Sequence, residues 1–364
     1  MASAIANLGP EEFDEEEQRY LLAVQLATGS VVHKVMKAVI DLNLIDIMEK
    51  TGPEKQLSCV EIAALLPIKN NLDAPDMLDR IFRLLTSYSV FTSSQFTGDD
   101  GKVQRLYGLG PVCKHFASNE DGGLLCHLVH LTQDKVFLDS WHHLKDAVLE
   151  GGVPFNKAHG MPIYDYLGID PRFNQIFNRA MCITSITLLK LIIEVYEGFD
   201  NVNVVVDVGG GVGKTLELIT FKHPTIKGIN FDLPHVIADA PPYPGVEHVV
   251  GDMFLSVPKG DIIFMKTVLH NWGDEHCLSI LKNCYESLPE NGKVVVLETI
   301  VPEIPETTLL AKTTLGMDLV MITQHMGGKE RTEKEYKALA SGAGFSGITL
   351  VFRLAAFSVM EFYK

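Results

Sequence analysis

The chain has 364 residues, 46% of them hydrophobic and 21% charged, a size and composition that suit two domains with a sizeable core. No apolar run reaches the roughly 20 residues of a membrane-spanning helix, which excludes an anchor of that kind. A formal net charge of −15 sets the chain against nucleic acid and anionic membrane and favours a neutral or cationic small molecule as ligand.

The first 19 residues carry the acidic run Glu11-Glu12-Phe13-Asp14-Glu15-Glu16-Glu17 and are expected to be loosely ordered. They show neither the basic nor the apolar region of a signal peptide, so the expected location is cytoplasmic. Over residues 20–50 the apolar positions, among them Val24, Val31, Val35, Ile40 and Ile47, recur at mixed helical spacing on more than one face. Helices of this kind are buried on two sides, by the core or by a partner copy. Ser58 and Glu61 have the spacing of a capping box, opening a short helix that Pro67 closes. Asp73-Ala74-Pro75 starts a second helix with Leu78, Ile81, Phe82 and Leu85 as its stripe, and residues 90–96 and 103–109, separated by Gly98-Asp99-Asp100-Gly101, read as a hairpin. Helix, helix, hairpin is a winged-helix outline, but DNA binding would need a basic stripe that this segment lacks. Six scattered cysteines (Cys59, Cys113, Cys126, Cys182, Cys277, Cys284) form no C-x-x-C pair and no metal-like spacing, and are expected to be reduced and mostly buried.

A helical region over about 120–198 gives way near Asn203 to short β-branched runs alternating with helices: 204–208, 226–232, 261–265 and 293–298. Strands that are apolar throughout and separated by helices imply a parallel sheet covered on both faces. Runs at 347–352 and 357–362 close it as an antiparallel pair. The expected architecture is an α/β, Rossmann-like domain over 119–364, preceded by a mainly helical, winged-helix-like domain over 20–118.

The strongest local signal is Asp207-Val208-Gly209-Gly210-Gly211-Val212-Gly213, directly after a strand and before a helix. A phosphate-binding P-loop would need glycine at Val208, and a dinucleotide fingerprint would need glycine at Lys214, which weakens the nicotinamide reading without excluding it. D-x-G-x-G-x-G with an acidic residue, Asp232, at the end of the next strand suits a nucleoside without phosphates. A carboxylate there accepts from both ribose hydroxyls, which favours S-adenosyl-L-methionine over a merely flexible glycine turn.

Together with Gly228-Ile-Asn-Phe-Asp-Leu-Pro-His-Val-Ile237, Pro244-Gly-Val-Glu-His248, Gly251-Asp-Met-Phe254, His270-Asn-Trp272, Asp274-Glu-His276 and Gly327-Gly-Lys-Glu-Arg-Thr332, this loop makes the chain resemble the plant caffeate-type O-methyltransferases over nearly its whole length. The resemblance implies a homodimer, S-adenosylmethionine as cofactor, no metal, and a phenylpropanoid, flavonoid, coumarin or alkaloid acceptor. It also implies contacts to the cofactor from Gly209, Asp232, Leu233, Asp252, Met253 and Lys266, with His270 as general base flanked by Glu298 and Glu330. The chemistry agrees. A phenol of pKa about 10 must lose its proton as the methyl arrives, and an imidazole near about 6.5 is a suitable acceptor. Acceptor-lining positions match Leu131, Phe137, Ile163, Leu167, Phe173, Phe177, Met181, Thr184, Met317, Val320, Met321 and His325. Where family members often carry histidine at Leu167 and Thr184, tryptophan at Thr267 and asparagine at His325, this chain is less polar, which implies an apolar slot for a flat, weakly polar acceptor. Competing readings are N-methylation of an aromatic amine, and a non-catalytic regulatory protein that binds the cofactor as a ligand.

Overall fold

The computed structural model describes residues 14–97, 101, 103–118 and 124–364, with the side chains of residues 124 and 182–188 outside the description. The candidate Thr184, like the expected turn residues Gly98-Asp99-Asp100, therefore falls outside the described residues. The chain divides into two compact units that meet at Gln133 and Asp134.

In the first unit, Asp14 caps the helix Glu15–Ala27, so residues 14–19 of the stretch expected to be loose are helical or cap a helix. That helix buries none of its residues and leaves Tyr20 70% and Leu26 76% exposed. Within the chain, burial over 20–50 lies in Ser30–Asp41 and Leu44–Thr51 and follows one face of each, Met36, Val39 and Ile40 in the first and Leu44, Ile45 and Met48 in the second. Ser58 and Glu61 form the expected capping box of Cys59–Ala64. The hairpin consists of β2 (Phe91–Thr97) and β3 (Val103–Leu109), and a two-residue β1 (Leu57–Ser58) pairs with β3, giving a sheet of order β1-β3-β2. Its core is aromatic: Phe82 stacks on Tyr107 with centroids 5.0 Å apart and meets Phe91 edge-on. The helix Leu124–Thr132 belongs to the same compact unit, and its Cys126 is buried in this first core.

The second unit is built on one seven-stranded sheet of order β6-β5-β4-β7-β8-β10-β9, where β4 is Val204–Val208, β5 Lys227–Asp232, β6 Val246–Val250, β7 Ile262–Lys266, β8 Lys293–Thr299, β9 Gly347–Leu354 and β10 Phe357–Tyr363. The strands β4 to β8 pair in parallel, and β10 pairs antiparallel with both β8 and β9. Side chains alternate between the two faces. Val206, Ile263, Val294 and Val296 pack with Ile280 and Leu281 of the helix Asp274–Ser287 and Tyr336 and Leu339 of Glu333–Gly342. Val205, Ile262, Phe264, Val295 and Leu297 pack with Ile192 of Pro171–Val195 and Leu216 and Ile219 of Lys214–Lys222. Strands buried on both faces are apolar at most positions, which is why they stood out in the sequence, with Asp207 and Asn230 as buried polar exceptions.

From the central β4 the chain steps outward to β5 and β6, then returns to the other side for β7 and β8. The strand order therefore reverses between β4 and β7. At such a switch point the loops leaving the two strands diverge and open a crevice at their carboxyl ends.

Candidate active site

The loop after β4 and the loop after β7 flank that crevice. Gly209, Gly211 and Gly213 all have positive φ, the last at the start of Lys214–Lys222. A Cβ at Gly209 would come within 3.0 Å of Val268 Cγ2, and one at Gly210 within 2.2 Å of Asn230 Oδ1, so neither position has room for a side chain, whereas a Cβ at Gly211 would meet nothing within 4 Å and its backbone lies open. Asp232, at the end of β5, ties the loop down: its Oδ2 accepts from Gly211 N at 2.8 Å and its Oδ1 from Leu233 N at 2.7 Å. A carboxylate offers about four acceptor sites, so two remain for a pair of ribose hydroxyls. Leu233 is exposed, Met253 is half-buried after β6, and Asp252 accepts from Phe254 N at 2.9 Å. Lys266 ends β7. All six residues assigned to the cofactor thus stand at the carboxyl ends of β4, β5, β6 and β7, and the glycine cradle with its half-satisfied carboxylate fits an adenosyl ligand.

Asp207 is 1% exposed, with Oδ2 lacking a hydrogen-bond partner. Burial, with the negative Asp232 nearby, pushes its carboxyl up to about 7 against the pull of Lys266.

The second cluster is carried by three segments. At the end of β7 Thr267 turns the chain with φ +52°, a left-handed conformation that is costly for a β-branched residue. It is held there by its own N–H on Leu297 O at 3.0 Å and by Asn271 Nδ2 on its carbonyl at 3.1 Å. The turn aims the N–H groups of Val268 and Leu269 at Oε1 of the fully buried Glu298, at 2.9 and 2.8 Å. His270 follows in a 3-10 turn, its side chain 14% exposed. Its Nδ1 lies 2.9 Å from Glu330 Oε1 and 3.7 Å from Glu298 Oε2. Glu298 Oε2, which faces the imidazole, and Glu330 Oε2 have no hydrogen-bond partner among the described residues.

Burial alone would lower the imidazole pKa of His270; the charges of Glu298 and Glu330 more than offset it and hold His270 above its ordinary value. Burial raises Glu298, and the like charge of Glu330 adds to that rise. An imidazole that donates Nδ1–H to a carboxylate keeps Nε2 as the nitrogen able to take a proton. The three side chains also bring ligand atoms within 4.8 Å of one another, a donor set able to approach a cation.

The acceptor-lining set is less unified. Phe137, Ile163, Leu167 and Phe173 are buried, Phe177, Met317, Val320, Met321 and His325 are half-buried, and Met181 is 41% exposed. Leu131 is buried in the first unit. A pocket of about 840 Å³ lies between residues 150–157 and 322–329, and of the described acceptor residues only His325 lines it. His325 pairs its ring with Tyr164, centroids 5.5 Å apart, and burial together with the charge of His270 pushes it down to about 3, so it is neutral.

Three structural contributors carried no role in the sequence reading. Asn230, buried within β5, donates from Nδ2 to Gly211 O at 2.8 Å; a polar residue inside an apolar strand was its only signal. Asp318 accepts from Glu330 N at 2.9 Å and had no local signal. Arg331, fully buried, stood inside a quoted motif without an assignment.

Comparison with known proteins places this geometry in a family. The description "O-methyltransferase domain" matches residues 141–346, and "O-methyltransferase dimerisation domain" matches residues 24–119. The chain is 56% identical over 355 residues to a caffeic acid 3-O-methyltransferase of Prunus dulcis, covering 98% of this chain and 97% of that one. It is 55% identical over 355 residues to the enzyme of that name from Rosa chinensis, with the same coverage of 98% and 97%. Among solved structures, human N-acetylserotonin methyltransferase in complex with SAM superposes with a TM-score of 0.78 at 21% identity, covering 98% of this chain and 99% of that one, a likeness of fold. The chain belongs to the O-methyltransferase family, as an S-adenosylmethionine-dependent O-methyltransferase with an N-terminal dimerisation domain.

Proposed function

We propose that this enzyme methylates a phenolic hydroxyl of a small aromatic plant metabolite, with His270 as general base and without a metal. The observation that carries the reading is the buried imidazole whose Nδ1 is held 2.9 Å from Glu330 and 3.7 Å from Glu298. When bound, S-adenosylmethionine supplies an electrophilic methyl group on a sulfonium. Gly209 and its loop give a close backbone approach, and Asp232, Leu233, Asp252, Met253 and Lys266 hold the cofactor at the strand ends. His270 Nε2 takes the phenolic proton. Glu330 fixes the tautomer by accepting from Nδ1, and both carboxylates stabilise the imidazolium as it forms. Both carboxylates stand on the Nδ1 side of the ring, so the positive charge gained by His270 develops beside them.

The names of the relatives, caffeic acid 3-O-methyltransferases, support a phenylpropanoid-like acceptor, and the buried Phe137, Ile163, Leu167 and Phe173 suit a flat, weakly polar one. The dimerisation domain supports a homodimer. Incubation with labelled S-adenosylmethionine and a panel of catechols, flavonoids and anilines tests the reading. Label in phenols that is lost in His270→Gln supports it; label in anilines alone, or in none of the panel, overturns it.

A further inference from the structure

The 3-10 turn that carries His270 is gripped from one short segment, residues 329–331. Lys329 N donates to His270 O at 2.9 Å, and the next residue, Glu330, accepts from the imidazole. Arg331 then reaches the two carbonyls on either side of His270: Nη1 donates to Leu269 O at 2.9 Å and Nη2 to Trp272 O at 2.7 Å. Its guanidinium is fixed in turn by Asp274 Oδ1, 3.0 Å from Nε and 2.8 Å from Nη2. The Cys277 thiol lies on the same two carbonyls, at 3.2 and 3.5 Å. Arg331 O accepts from Val301 N at 3.0 Å, just past β8, which carries Glu298. A fully buried guanidinium is costly unless each donor is used, and here the donors converge on one turn.

We infer that Arg331 is a positioning residue for His270: its planar fork, braced by Asp274, sets the turn so that the imidazole meets Glu330 and Glu298 and presents Nε2. The inference rests on the reading of His270 as the base. Lysine keeps the charge but cannot span two carbonyls and a carboxylate at once.

The test compares Arg331→Lys with Asp274→Asn, which loosens the brace from a side chain 54% exposed and leaves the core filled. Arg331→Lys should lower kcat by about 10- to 100-fold, the scale of a displaced catalytic group, and Asp274→Asn by about 3- to 10-fold, while cofactor affinity by calorimetry stays within about twofold. The His270 imidazole, followed by NMR titration in both variants, should titrate at lower pH than in the wild type as it moves off its carboxylates. In a His270→Gln background Arg331→Lys should cost almost nothing further in kcat. An unmoved His270 titration in both variants, or a kcat loss that adds in full to His270→Gln, overturns the inference. If His270→Gln itself keeps turnover, the general-base reading fails by that measurement, and the NMR titration still decides whether Arg331 positions the ring.

Discussion

Replacing Glu330 by glutamine removes one negative charge from beside His270 while keeping the shape of the side chain. The wild-type contact is 2.9 Å, with side-chain exposures of 14% and 2%, so solvent screens it little. For charge centres about 4 Å apart at an effective dielectric of about 20, the interaction is up to about 4 kcal/mol. With the proton roughly half transferred in the transition state, about 2 kcal/mol of that is lost, close to 30-fold in rate. The glutamine amide can also turn its NH2 toward Nδ1, forcing the proton onto Nε2 and removing the base, which extends the loss toward about 10⁴-fold. The pH dependence has a definite sign. Because the carboxylates hold His270 above its ordinary value, the neutral form that accepts a proton appears only at higher pH, and kcat should rise through a midpoint above about 6.5. In Glu330→Gln the midpoint should move to lower pH while the plateau falls. The assay is single-turnover methylation of a catechol with saturating cofactor between about pH 6 and about pH 9.5, which isolates chemistry from product release. A folded Glu330→Gln enzyme with wild-type turnover and an unmoved midpoint would refute the reasoning.

Asp232→Ala should weaken cofactor binding by about 1.5–3 kcal/mol, because it deletes the free acceptor sites and releases the N–H groups of Gly211 and Leu233; unchanged affinity by calorimetry would take Asp232 out of the site. Asp207, pushed up to about 7 by burial, has a folded pKa above its unfolded value of about 3.9, so its stabilising contribution is complete below about pH 4 and lost as the pH rises through about 7. The melting temperature of Asp207→Asn relative to wild type should therefore improve between about pH 5 and about pH 8, whereas a pH-independent difference would show that the group does not titrate in this range. Prolonged treatment with EDTA should leave turnover unchanged; loss of activity restored by a divalent cation would instead place a metal among His270, Glu298 and Glu330.

Residues whose environment is set by neighbours in the chain were legible from sequence. The strands β4, β5, β7 and β8 read as apolar runs because they are buried on both faces, and Ser58 and Glu61 read as a capping box because both partners lie within one turn. The glycine loop read correctly as a turn, since positive φ and close approach restrict the residue type wherever they occur. By contrast β6 was missed as a strand: at the sheet edge its Val-Glu-His-Val-Val is half-exposed and mixes charge with apolar residues. Which core receives the helix Leu124–Thr132 was not legible, because the burial of Cys126 depends on packing against distant residues.

The meeting of His270, Glu298 and Glu330 could be inferred from the chain only through its likeness to a family. His270 and Glu330 are 60 positions apart, and no periodicity brings them together. By itself the sequence determined the periodicities, the caps and the glycine turn, which are local properties of the backbone and its nearest side chains. Only the tertiary structure decided that β7 and β8 lie side by side in register, Met265 opposite Val296, so that Glu298 reaches the turn after β7. It likewise decided that the chain returns past β8 through the bridge of Ile300 with Arg331, which sets Glu330 against the imidazole and gives a buried guanidinium the carbonyls it needs. Such partners are supplied by long-range pairing, and they exist only once the sheet has formed.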